Sequence, residues 1–348
     1  MKHWLVTGGA GFIGSNFIRV ALATDPELRI VNLDALTYSG RRENLADLES
    51  NPRYGFVHGD ICHREQVTAA LTLHGRSTDA IVHFAAESHV DRSIDDATAF
   101  IRTNVQGTQN LLDTARQVRV KRFLHVSTDE VYGSLGPTGR FTEETPLAPN
   151  SPYAASKAAS DLLVRAAHHT HGLAAVITRS SNNYGPFQFP EKLIPLAIGN
   201  ATSNQPIPLY GKGDNVRNWI YVDDHCRGIM AAVAEGRPGE VYNIGGDEEL
   251  DNRTLLLRLL HLLGKPVDLI RSVPDRLGHD FRYSLDSTRA RRALNWTPRV
   301  PLEQGLQLTV DWYRAHADWL ASVRDRTYRD YYQRQYAPKG ALAPEGLR

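Results

Sequence analysis

The sequence predicts an α/β fold: a parallel sheet flanked by helices, joined to a smaller mixed region. Three observations carry that prediction. Short apolar runs alternate with helix-like stretches through the first half, the first run ends in a glycine-rich turn, and beyond residue 181 the alternation gives way to Pro, Gly and Asn. Alternation of that kind reads as βαβ units, whose strands lie parallel with helices on both faces.

The expected strands are 4–7, 30–34, 54–58, 80–84 and 122–127. The first runs directly into LVTGGAGFIG, with Gly8, Gly11 and Gly14. A strand that turns through glycines into a helix aims backbone N–H groups and the positive helix end at one spot, which suits a pyrophosphate. Gly8 makes the turn, Gly11 lets phosphate approach the backbone and Gly14 lets helix and strand pack closely. A GxxGxxG match alone is a weak signal, and the bland alternative is a simple turn. Two neighbours favour the binding reading. Phe12-Ile13 and Phe17-Ile18 give a helical apolar face, and the second strand ends in Asp34. An acid there meets a ribose hydroxyl and repels a 2′-phosphate, so NAD is expected rather than NADP. Asp60, in Gly59-Asp60-Ile61 after the third strand, is placed to accept the adenine amino group, or else to cap a helix. The small Ala85-Ala86 after the fourth strand lets a cofactor approach the backbone.

Further along, helices are expected over 102–116 and 153–167, the latter rich in alanine (Ala154, Ala155, Ala158, Ala159). Small side chains there suit either an intramolecular helix contact or a dimer. A strand follows at 174–178. Residues 182–219 read as loops around one helix, 192–198. Then come a strand at 240–244 and helices over 255–263, 287–294 and 302–320. The expected division is a nucleotide-binding domain over 1–181, with 220–244 and part of 284–300 returning to it. A substrate region is expected from 182–219, 245–283 and 301–325, and a terminal arm and tail over 326–348.

Composition narrows the function. In 348 residues, 40 basic side chains face 39 acidic ones, for a formal charge of +1. No basic tract points to nucleic acid, and no apolar stretch reaches membrane-spanning length. The first expected strand begins almost at Met1, so no signal peptide is expected. Cys62 and Cys226 lack metal-like spacing. A cytoplasmic protein with no metal site is expected.

Tyr153 and Lys157 lie four residues apart on one helix face. A phenol near its usual pKa of about 10 is a poor base at neutral pH. An adjacent ammonium and a cationic nicotinamide both favour phenolate, letting Tyr153 take a hydroxyl proton while hydride leaves the same carbon. Ser127-Thr128-Asp129-Glu130 ends the fifth strand, at the sheet edge where ligands of open parallel sheets bind. Hydride transfer alone does not need two adjacent carboxyls. Elimination does: one removes a proton acidified by a neighbouring ketone, the other protonates the departing hydroxyl, provided their surroundings push the two pKa values apart. The bland alternative is an acidic helix start with no substrate beside it.

TGGAGFIGSNF, LDALTYSGRRENL, FAAESHVDRSI, STDEVYG, SPYAASKAASD, RSSNNYGPFQFPEKLIPL, GKGDNVRNWIYVDDH and DRLGHDFRYSLD together resemble the dTDP-glucose 4,6-dehydratases of the extended short-chain dehydrogenase/reductase family, over residues 3 to about 290. The resemblance implies a Rossmann-type domain with a smaller substrate-binding domain, bound NAD, dTDP-glucose as substrate and a homodimer. It implies Tyr153 as base for the C4 hydroxyl, Lys157 as its electrostatic partner, and Thr128 hydrogen-bonded to the C4 oxygen. Asp129 becomes the acid at C6 and Glu130 the base at C5. Phe12, Ile13, Thr37 and Ile61 join Gly8, Gly11, Gly14, Asp34, Asp60, Ala85 and Ala86 around the cofactor. Asn182, Lys192, Arg217, Asn252, His279 and Tyr283 are implied to hold the nucleoside diphosphate, with Ser88 near the sugar and Arg92 either there or structural. Ala35, Asn218, Leu277 and Phe281 depart from the family's usual residues, and none removes a catalytic group. The alternatives are an epimerase of the same fold, a dehydratase of another nucleotide sugar, and a nucleotide-sugar-binding regulator without turnover.

Overall fold

The computed structural model describes residues 2–73, 77–324 and 326–336. Its strands are β1 (Lys2–Thr7), β2 (Leu28–Asp34), β3 (Tyr54–His58), β4 (Ala80–His83), β5 (Arg122–Thr128), β6 (Ala175–Ser180), β7 (Asn182–Tyr184), β8 (Ile207–Tyr210), β9 (Val216–Tyr221), β10 (Val241–Ile244), β11 (Glu248–Asp251) and β12 (Ile270–Val273). Seven of them form one sheet in the order β10-β6-β5-β4-β1-β2-β3. Every pairing in it is parallel. The chain moves outward from β1 to β3, then crosses back to place β4 on the other side of β1. That reversal opens a crevice at the carboxyl ends of β1 and β4, where a Rossmann sheet takes its ligand.

Helices cover both faces. Phe17 and Ile18 of the Phe12–Thr24 helix pack with Val222, Cys226 and Ile229 of the Val222–Glu235 helix on one side. Leu111 and Leu112 of Thr108–Gln117 and Val164 of Pro152–His171 cover the other. Cys226 is therefore an apolar core residue. The Pro152–His171 helix has clear local causes. Ser151 caps it by accepting the Ala154 N–H at 3.1 Å, Pro152 opens it, and Gly172 ends it in the left-handed conformation. Its buried face carries Tyr153, Lys157 and Asp161.

The second half corrects the sequence reading. Residues 182–219 are not loops around a single helix, since β7, β8 and β9 lie there beside the Leu193–Thr202 helix. Sheet β11-β9-β7 and the pair β12-β8 draw partners from beyond residue 245, so no local pattern marks them. The Val222–Glu235 helix was not expected. The helix over 302–320 is two, Leu302–Ala315 and Ala317–Val323, because His316 leaves helical geometry (φ −120°, ψ 44°) as its ring stacks on Trp312. Of the expected terminal arm, Arg326–Tyr336 is helical and buries Tyr328 and Tyr331, while the tail over 337–348 lies outside the described residues. No helix among the described residues is long and apolar enough to cross a membrane.

Candidate active site

The crevice continues as one cleft from the glycine turn to the Leu193–Thr202 helix. Gly8, Gly11, Phe12, Ile13 and Gly14 form its floor on one side. Gly8 has φ +73°, and a Cβ there would lie 2.6 Å from the Ala85 backbone nitrogen. A Cβ on Gly14 would lie 2.3 Å from the Gly8 carbonyl oxygen, whereas one on Gly11 meets only that oxygen at 3.4 Å. Gly8 and Gly14 thus weld strand to helix, and Gly11 leaves the approach open. Gly11 is also the N-cap of the Phe12–Thr24 helix and supplies no capping side chain. That uncapped end and the glycine cradle fit a dinucleotide pyrophosphate.

Asp34, at the end of β2, accepts the Ala10 and Leu36 N–H groups, each at 2.8 Å, and faces the cleft with Thr37. Burial raises its pKa, and the two N–H groups oppose the rise. Asp60 and Ile61 line the same end. Asp60 accepts from the Cys62 N–H at 2.8 Å and from Arg102 at 2.7 Å, so it caps its turn as well as facing the cleft. Ala85 and Ala86 stand opposite.

Thr128, Asp129, Glu130, Tyr153 and Lys157 converge deeper in the cleft. β5 ends at Thr128, and Asp129–Tyr132 turns as a 3-10 helix capped by the Thr128 hydroxyl, which accepts the Glu130 N–H at 3.3 Å. The two carboxyls share burial and the charge of Arg217 but differ in their other neighbours. Asp129 is pushed well above the usual carboxylate range by burial and then by the charge of Glu130. Glu130 is raised by burial, but Lys192, Arg276 and Arg217 pull it back down. Both carboxyls are shifted upward, Asp129 the more strongly, so Glu130 is the more readily ionised of the two. The Asp129 Oδ2 is buried with no hydrogen-bond partner among the described residues.

Burial and the charge of Glu130 raise the Tyr153 phenol, while the Thr128 hydroxyl lowers it. In the protein alone the shift is upward, opposite to the lowering expected for the loaded site. Lys157 directs its ammonium to the Val126 carbonyl at 2.8 Å, and burial lowers its pKa to about 8.

The expected substrate residues separate into two groups. Ser88, Asn182 and Lys192 line the cleft, and the Lys192 ammonium donates to the Ser88 carbonyl at 2.9 Å. Arg217 stands behind this wall. It donates to the Asp280 and Phe281 carbonyls, stacks over the Tyr283 ring at 4.4 Å, and acts on both Asp129 and Glu130 through its charge. Tyr283 donates to Asp280 at 2.5 Å, and His279 pairs with Asp275 at 2.7 Å. Asn252 opens the Asn252–Leu263 helix, and its backbone N–H donates to Asn215.

Sequence reasoning missed Glu191, Tyr38 and Arg276. Glu191 lines the cleft, accepting from Tyr38 at 2.8 Å and from Arg92 at 3.2 Å. Arg92 lies over the rings of Tyr38 and Tyr331, which gives it a structural place. Arg276 forms a two-pronged pair with Asp91. A buried charge is the exception, so a Glu beside a Lys at 191–192 signals solvent exposure unless its partners are known.

Fold and site together define an extended short-chain dehydrogenase/reductase in which two adjacent buried carboxyls stand beside the Tyr-Lys pair. Residues 5–309 match the family model for GDP-mannose 4,6 dehydratase. The chain is 52% identical over 347 residues to a dTDP-glucose 4,6-dehydratase of Xanthomonas campestris pv. campestris (strain B100), covering 94% of this chain and 98% of that one. The dTDP-glucose 4,6-dehydratase of Streptomyces venezuelae, solved with NAD bound, superposes with a TM-score of 0.89 at 54% identity, over 92% of this chain and 99% of that one. A UDP-glucose 4-epimerase of Thermus thermophilus in complex with NAD gives 0.83 at 31%, over 90% and 99%. The chain belongs to the dTDP-glucose 4,6-dehydratases.

Proposed function

We propose that the protein binds NAD and converts dTDP-glucose to dTDP-4-keto-6-deoxyglucose and water. The observation that carries this reading is the pair Asp129 and Glu130, adjacent in sequence and buried together in the cleft beside Tyr153 and Lys157, with Lys192 and Arg276 favouring the ionised form of Glu130. Bound NAD supplies reversible hydride acceptance, so the reaction has no net redox change. Tyr153 takes the C4 hydroxyl proton, with the Lys157 charge favouring the phenolate and Thr128 holding the C4 oxygen. Oxidation at C4 acidifies the C5 proton, which Glu130 removes. Asp129, kept neutral by its surroundings, protonates the C6 hydroxyl as it departs as water. The C5 proton then returns from Glu130 as C6 is reduced.

Lys192 and Arg217 supply positive charge for the diphosphate. Asn182, Asn252, His279 and Tyr283 complete its surroundings, with Ser88 beside the sugar. A homodimer fits the outer face of the Pro152–His171 helix. Leu162 is 56% exposed there, beside the exposed Ala155 and a shallow groove against the Thr108–Gln117 helix. Sedimentation at low and high concentration tests that assembly.

The activity is tested by incubating purified protein with dTDP-glucose and no added NAD, then weighing the nucleotide sugar by mass spectrometry. Loss of one water with a 4-keto product is expected. An isomer of unchanged mass would instead make the protein an epimerase.

A further inference from the structure

Beneath the reacting groups lies a buried charged chain that the mechanism above does not use. Tyr153, Lys157 and Asp161 fall at successive turns on one face of the Pro152–His171 helix, and Lys157 and Asp161 are 4% and 0% exposed. His125, on β5, stands between the last two. Its Nε2 is 3.4 Å from the Lys157 Nζ and 3.5 Å from the Asp161 Oδ1. The other Asp161 oxygen accepts from Arg179 at 2.8 Å, and Arg179 lies over the Tyr132 ring. His83 packs against His125 at 5.1 Å, with both ring nitrogens already bonded to Thr7 and Thr108. Lys157 is thus faced by the Val126 carbonyl and His125 from β5, by Asp161 and Tyr153 from its own helix, and by His83 and Arg179 at longer range.

We propose that Asp161 and His125 are positioning residues for Lys157: Asp161 supplies the buried counter-charge and His125 the acceptor that keep its ammonium charged and aimed along the face it shares with Tyr153. An ammonium buried this deeply tends to lose its proton, and the charge of Asp161 opposes the loss. His125 is held neutral by burial and by the positive charge of Lys157, so its Nε2 can accept from the ammonium without adding a competing cation. This rests on the catalytic reading of Tyr153 and Lys157.

The test is a lysine titration in the full-length protein with its retained cofactor. Lysine ε-carbons are labelled with 13C and the Lys157 signal is assigned from a Lys157→Met sample. Asp161→Asn is expected to lower the Lys157 midpoint by about one pH unit or more. The alkaline limb of kcat should move down with it, so that the loss of turnover grows with pH. Because Asp161→Asn leaves Arg179 unpaired and can fail to fold, His125→Leu and His125→Gln form an independent pair. Leu should lower the midpoint, and Gln, which still accepts a hydrogen bond, should restore most of it. A Lys157 midpoint unmoved in His125→Leu, with turnover reduced equally at every pH, would overturn the proposal and leave these residues as packing. Failure of the dehydratase reading would show separately, as wild-type protein that releases no water while its Lys157 midpoint still responds.

Discussion

The two halves of the cleft are made of different materials. The cofactor half is mostly backbone and small side chains: glycines at which a Cβ would crowd neighbouring backbone, an uncapped helix end and a buried aspartate. The sugar-nucleotide half is built from long charged side chains tied across the chain, such as Glu191 to Arg92 and Arg276 to Asp91. A backbone-built site depends on space and fails when an atom is added. A site of side-chain charges depends on neighbours and fails when a charge is removed.

The largest effect expected belongs to the chemical step. Tyr153→Phe keeps the ring and its packing but removes the proton acceptor, and should lower kcat by about 10²–10⁴-fold with little change in KM. Gly14→Ala should break the other half. Its methyl would meet the Gly8 carbonyl, costing about 1–3 kcal/mol in overpacking, and the protein should be purified without NAD. Absorbance of the released cofactor after denaturation checks this. A Gly14→Ala protein that retained its cofactor would refute the contrast drawn between the two halves.

Asp129→Asn sharpens the comparison through pH. Asp129 has a folded pKa raised by burial and by Glu130, so the fold favours its neutral form. Its stabilising contribution is complete below the unfolded pKa and is lost as pH rises through the folded one. Removing the charge should therefore raise Tm by a few degrees at neutral and alkaline pH, with no gain in acid, while dehydration is abolished. Activity of the unaltered protein should fall at high pH as Lys157 and Asp129 lose their protons and at low pH as Glu130 is protonated. The smallest effect is expected from Tyr331→Leu, which removes a ring from Arg92 and leaves the reacting groups untouched. KM for the nucleotide sugar should rise by a few-fold with kcat nearly unchanged, read from initial rates.

This division also explains what the sequence disclosed. The strands of the first half were legible because each is a local apolar run, and 54–58 matches β3 residue for residue. The glycines, Asp34, the carboxyl pair and the Tyr-Lys pair were legible because chemistry constrains their spacing, and all of them reach one cleft. Strands β7, β8 and β9 were not, because their partners lie far along the chain and Pro208 sits inside β8. The break at His316 was hidden for a related reason: apolar periodicity continues across it, and only the ring stacking on Trp312 reveals the turn. Arg276 and Glu191 were not singled out, because their partners Asp91 and Arg92 lie far along the chain.

The short Val90–Asp95 helix receives contacts from three far-off segments. Arg92 meets Glu191, Asp91 meets Arg276, and His89 at its start meets Tyr331, at separations of 99, 185 and 242 residues. During synthesis these partners emerge one after another, the last of them in the final described helix. A chain stopped before residue 326 carries every strand of the sheet and the glycine cradle but lacks Tyr331 and its contacts to His89 and Arg92. The sugar side is therefore the part of the molecule whose assembly draws on nearly the whole length of the described chain.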